Sequence, residues 1–106
     1  MSPRAVPARG QIWRYQPVLQ RDNRSDLRLI VSADAINTST VPTVFAVHVV
    51  ADSTESLLVT PLPPHGWASA GTLEQVMRRR LTEFVATATI EAMEQVDVAL
   101  RALLEL

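Results

Sequence analysis

Apolar and polar residues alternate in short blocks up to residue 88 and recur with a helical period beyond it. Leu27–Ala33 is β-branched and apolar enough for a strand buried on at least one face, and Asp34–Asn37 then supplies the polar side chains of a helical or 3₁₀ turn. Upstream, Gly10–Gln16 alternates as a strand that Pro17 stops, because proline has no N–H for a ladder. Thr43–Val50 predicts a central strand: Phe45, Val47 and Val49 share one face, and Val44, Ala46, His48 and Val50 the other. Ser56–Thr60 predicts a fourth strand, Gly71–Met77 a fifth and Phe84–Ala88 a short sixth. Pro61–Trp67 holds three prolines and a glycine and reads as irregular. Thr89 has the character of an N-cap. From it Ile90, Met93, Val96, Leu100 and Leu103 recur at three- and four-residue steps, with Glu94, Asp97 and Arg101 opposite, an amphipathic helix of about four turns. The pattern gives a small, barrel-like, mostly β (α+β) fold with a C-terminal amphipathic helix.

A chain of 106 residues, 47% hydrophobic and 20% charged, is one domain of ordinary soluble composition. Residues 1–8 mix proline, small residues and one arginine and read as a flexible N-terminal tail, leaving 9–106 as the domain. That segment lacks the apolar core of a secretory signal, and the run Val44–Ala51 is too short to span a bilayer, so the expected setting is cytoplasmic with no membrane contact. With no cysteine, and two histidines without ligand spacing, neither a metal nor another cofactor is expected.

The net charge of −1 hides an asymmetry, for residues 1–28 carry six Arg against two acids, and Arg78–Arg80 form a second basic cluster. Two such patches can hold a nucleic acid locally, or can equally be solvated surface.

Four stretches in order carry a resemblance: Arg9-Gly-Gln-Ile-Trp13, Leu29-Ile-Val-Ser-Ala-Asp-Ala-Ile-Asn37, Leu73-Glu-Gln-Val76 and Met93-Glu-Gln-Val-Asp-Val-Ala-Leu100. Together they resemble the MazF/PemK (Kid) toxins of toxin–antitoxin systems, over roughly residues 9 to 104. The resemblance implies an SH3-like antiparallel barrel, a homodimer formed through the terminal helix and sheet edges, and metal-independent endoribonuclease (mRNA interferase) activity on single-stranded RNA. It also implies a cognate antitoxin whose tail lies in the RNA groove. The related CcdB proteins poison gyrase through a tryptophan near the C-terminus. This chain ends Leu-Leu-Glu-Leu instead.

Metal-free RNA cleavage needs a base for the 2′-hydroxyl, donors or a cation for the phosphorane, and an acid for the leaving 5′-oxygen. The arginine and the threonine that the family usually supplies fall here on Asp26 and Val50. Arg24 and Arg28 share a strand face with Asp26, and His48 shares one with Val50. The expected site is therefore His48 as general acid or base, Arg28 as phosphate stabiliser and Glu74 as the second acid–base group. Arg24, Gln75 and Arg78 would hold the RNA. Each also has a plain structural reading: His48 as a half-buried packing residue, Arg28 paired across the sheet, Glu74 as an exposed strand residue, and Arg78 in a solvated turn. If the departures are not compensated, the chain is a catalytically degenerate binding or regulatory protein on the same fold. The loop Val18–Asp26 is long for so small a protein and is a candidate for closing over substrate.

Overall fold

The computed structural model describes residues 6–17, 26–52 and 58–106. Six strands follow the chain as β1 (Gln11–Tyr15), β2 (Leu27–Ile30), β3 (Thr43–Val50), β4 (Val59–Leu62), β5 (Gly66–Met77) and β6 (Leu81–Thr87). The helices are α1 (Asp34–Asn37), between β2 and β3, and the terminal α2 (Ile90–Leu104). Among the described residues all ladders are antiparallel, in one six-stranded sheet ordered β4-β5-β3-β2-β1-β6. This is the mostly β fold with a closing helix that the sequence pattern implies. No described helix is long and apolar enough to cross a membrane.

Both faces of the sheet are apolar. On one, Ile12, Leu29, Val31, Val47 and Val49 meet Leu62, Ala68 and Val96 of α2. On the other, Ile30, Val44, Ala46, Val76 and Leu81 cluster under Trp13 and Tyr15. Val76 lies on the second strand of the sheet order and Leu81 on the sixth, so their sharing one cluster requires the sheet to curl upon itself. That curl is what makes the fold barrel-like.

Several boundaries shift for identifiable reasons. Pro61 and Leu62 belong to β4, and β5 starts at Gly66, so the proline-rich segment turns a hairpin with Leu62 opposite Gly66. Pro61 is tolerated because β4 is an edge strand, where a missing N–H costs no ladder bond. Gly66 is required by geometry, since its φ is +128° and a Cβ there would lie 2.3 Å from the Val50 carbonyl oxygen. The start of the expected fourth strand lies partly outside the described residues. Pro7 is among the most buried side chains and the Ala8 N–H donates to Gln11 Oε1 at 2.8 Å, so the boundary expected after residue 8 falls inside the folded body. In α2, Thr89 is the N-cap, its hydroxyl accepting the Ala92 N–H at 3.1 Å. Val96 and Ala99 are buried, but Ile90, the first residue of the helix, is 77% exposed.

The turn after β2 is held by a network of polar groups. Asn37, fully buried, donates through Nδ2 to the Ser32 carbonyl at 2.9 Å and to Asp34 Oδ1 at 3.0 Å. Asp34 also accepts the Arg9 N–H at 2.8 Å. The Arg9 amide first, and the Asn37 amide second, hold the Asp34 carboxyl below its ordinary value of 3.8. A carboxyl lowered by folding contributes stability above its unfolded pKa, and that contribution is lost as pH falls through the folded one. The stability difference between the wild type and Asp34→Asn is therefore present at about pH 6 and closes towards about pH 3, as denaturant midpoints at the two values will show. A difference of the same size at both would contradict the assignment.

Candidate active site

Arg28 on β2 is the cross-strand partner of His48 on β3, and Glu74 on β5 pairs with Ala46, two residues before His48. Alternation puts all three side chains on the face of Ile30, Ala46 and Val76, at the end of that apolar file. They meet at one atom. Glu74 Oε1 accepts from Arg28 Nε at 3.0 Å and lies 2.9 Å from His48 Nε2. An ionised carboxylate can only accept, so in that state Nε2 carries the proton of the second bond.

Exposure grades the three residues. Glu74 is 37% exposed, His48 12% and Arg28 3%, so the carboxylate is what a ligand meets first. The Arg28 guanidinium also donates to the Leu27 carbonyl at 3.0 Å and lies 4.8 Å from the centre of the Tyr15 ring. Such a stack is favourable because the ring face carries negative charge. Tyr15 follows two residues after Trp13, the β1 partner of Arg28, and so falls on the same face. Beside it lies a cleft of about 240 Å³ lined by Arg14, Tyr15, Gln16, Pro17, Asp26 and Thr82.

The remaining expected residues are not gathered here. Gln75 is exposed and follows Glu74 in a regular stretch of β5, so it points to the opposite face of the sheet. Arg78 is corrected outright. It is 2% exposed, and its guanidinium donates to the carbonyls of Val41 at 2.6 Å, Ile36 at 2.7 Å and Asn37. The carbonyls of Ile36 and Asn37 end α1 and that of Val41 lies in the segment after it, and the buried arginine ties them together instead of facing RNA. Arg24 and the loop expected to gate the site lie outside the described residues, Asp26 excepted. Asp26 pairs with Arg14 at 3.1 Å. Val50 is half-buried opposite Trp67. Among the described residues no group of three or more His, Cys, Asp or Glu stands close enough to hold a metal ion.

Tyr15 and Thr72 are the two residues of this neighbourhood that the sequence does not single out. Strand alternation from Trp13 is a signal for Tyr15. For Thr72 there is none, because its place depends on a break in strand pairing.

No protein-family model matches the chain, and no curated protein matches it in sequence. Solved structures do match. An endoribonuclease from a mycobacterial species superposes with a TM-score of 0.83 at 23% identity, over 97% of this chain and 95% of its own. A mycobacterial endoribonuclease in complex with its cognate antitoxin gives 0.84 at 24%, over 94% and 96%. A MazE–MazF complex from Deinococcus radiodurans gives 0.77 at 25%, over 96% and 99%. The chain thus has the fold of the MazF endoribonuclease toxins, along nearly its whole length.

Proposed function

We propose that the chain is a toxin-type, metal-independent endoribonuclease cutting single-stranded RNA. The observation that carries this is the single carboxylate oxygen of Glu74 shared between Arg28 and His48. Glu74, the most exposed of the three, takes the proton of the 2′-hydroxyl, and the 2′-oxygen attacks phosphorus. The 5′-oxygen leaves with a proton from His48, giving a 2′,3′-cyclic phosphate and a 5′-hydroxyl end. Proton transfer across the 2.9 Å contact from Glu74 to His48 then resets the pair. Arg28, buried against Tyr15, acts by holding the Glu74 carboxylate in place through Nε rather than by touching the phosphate.

Purified protein incubated with a long single-stranded RNA in EDTA is expected to give discrete cuts. In His48→Ala those cuts fall by about a hundredfold or more. Intact RNA with folded wild-type protein would overturn the reading and leave a binding protein on the same fold. The same reading gives the protein a cognate antitoxin, as one of the mycobacterial structures has. It also gives a second copy of the chain against the outer face of α2, where Ile90, Val98, Leu104 and Leu106 are 51–85% exposed. Sedimentation of the wild type against Val98→Glu tests that dimer.

A further inference from the structure

Between the pairs Ala46–Glu74 and His48–Ser69, β3 advances two residues and β5 advances five, so β5 carries three extra residues at this point. A ladder continued without a break from Ala46–Glu74 would set Thr72 opposite His48. The bulge removes the Thr72 backbone from that position, and the side chain takes its place. Thr72 Oγ1 accepts the His48 N–H at 2.8 Å and donates to the Ser69 carbonyl at 2.7 Å. One hydroxyl thus closes the bulge on itself and fixes the backbone of β3 at the residue whose ring meets Glu74.

We propose that Thr72 is a positioning residue, holding His48 in the register that brings its imidazole onto Glu74. The proposal rests on reading His48 and Glu74 as the acid–base pair. Bulges commonly re-aim a side chain beside a site, and here the re-aimed residue is on the strand facing the bulge. Among the described residues, Glu74 from β5 and Arg28 from β2 face the His48 ring, with Tyr15 from β1 over Arg28. Loss of the hydroxyl withdraws an acceptor from a half-buried N–H and lets the strand drift by a fraction of an ångström, which proton transfer tolerates poorly.

The test is Thr72→Val, which keeps the β-branch and the volume, with Thr72→Ser as the variant that keeps the hydroxyl. Thr72→Val is expected to lower kcat on single-stranded RNA about tenfold or more with KM within about twofold, while Thr72→Ser recovers most of the loss. The imidazole C–H resonances of His48, followed by NMR against pH, shift their midpoint in Thr72→Val and return in Thr72→Ser. Wild-type kcat together with an unmoved His48 titration in Thr72→Val overturns the proposal. Should Thr72→Val not fold, Thr72→Ala is judged by the same titration. The NMR measurement needs no turnover. If the wild type leaves RNA intact, the catalytic reading falls, and the His48 titration still decides whether Thr72 positions that ring.

Discussion

Glu74→Gln is expected to reduce RNA cleavage by about a thousandfold while leaving the fold in place. Glutamine keeps the volume and a carbonyl oxygen that can still accept from Arg28 Nε, so the polar contacts of the buried guanidinium survive in part. What disappears is the negative charge and the ability to take a proton. Glu74→Ala loses both the proton acceptor and the charge beside an arginine that is 3% exposed, and is expected to cost about 1–3 kcal/mol of stability in addition. Parallel measurement of cleavage and thermal denaturation separates the two effects. Glu74→Gln with wild-type cleavage would remove the carboxylate from the mechanism.

The largest stability effect is expected at Arg78. Arg78→Leu is of suitable length for the site but leaves the carbonyls of Ile36, Asn37 and Val41 without their shared donor. The Ile36 carbonyl keeps the Ser39 N–H and hydroxyl. The carbonyls of Asn37 and Val41 lose their donor at on the order of 1 kcal/mol or more each, so the expected loss is about 2 kcal/mol or more, or roughly 10 °C in Tm. Arg78→Lys is expected to recover little, because one ammonium on a flexible stem cannot span three acceptors that a planar fork reaches. Its neighbour Arg79 is exposed, and Arg79→Leu serves as the control, with an expected change within about 0.5 kcal/mol. Urea denaturation of the three variants decides the matter. A loss below about 0.5 kcal/mol in Arg78→Leu would contradict the cage.

That contrast between Arg78 and Arg79 shows where the sequence stops being informative. In a run of three arginines no periodicity marks the first as interior; the cage of carbonyls comes from α1 and the segment after it, some forty residues upstream. Elements with an internal signal were legible. The eight residues of β3 announce themselves by apolar faces on both sides, and Thr89 by its place before a helical period. The convergence of Arg28, His48 and Glu74 on one face follows from strand alternation together with the likeness to a known fold. Gln75 could have been separated from Glu74 by the same alternation, which sends consecutive residues to opposite faces. The end of β4 was hidden by Pro61, because whether proline is admissible depends on whether the strand is an edge. The bulge that brings Thr72 to His48 leaves no trace in composition at all, since it exists only as a mismatch between two strands.

The site is also drawn from widely separated parts of the chain. Glu74 lies 26 residues from His48 and 46 from Arg28, and each stands on a different strand. No hairpin or fragment contains the group, and its contacts require the long-range β3–β5 pairing, a slow kind of contact to form. On a nascent chain the three side chains are therefore apart until β5 has emerged and found β3. Whatever chemistry the three side chains carry, they come together late in the chain's synthesis, and all at once.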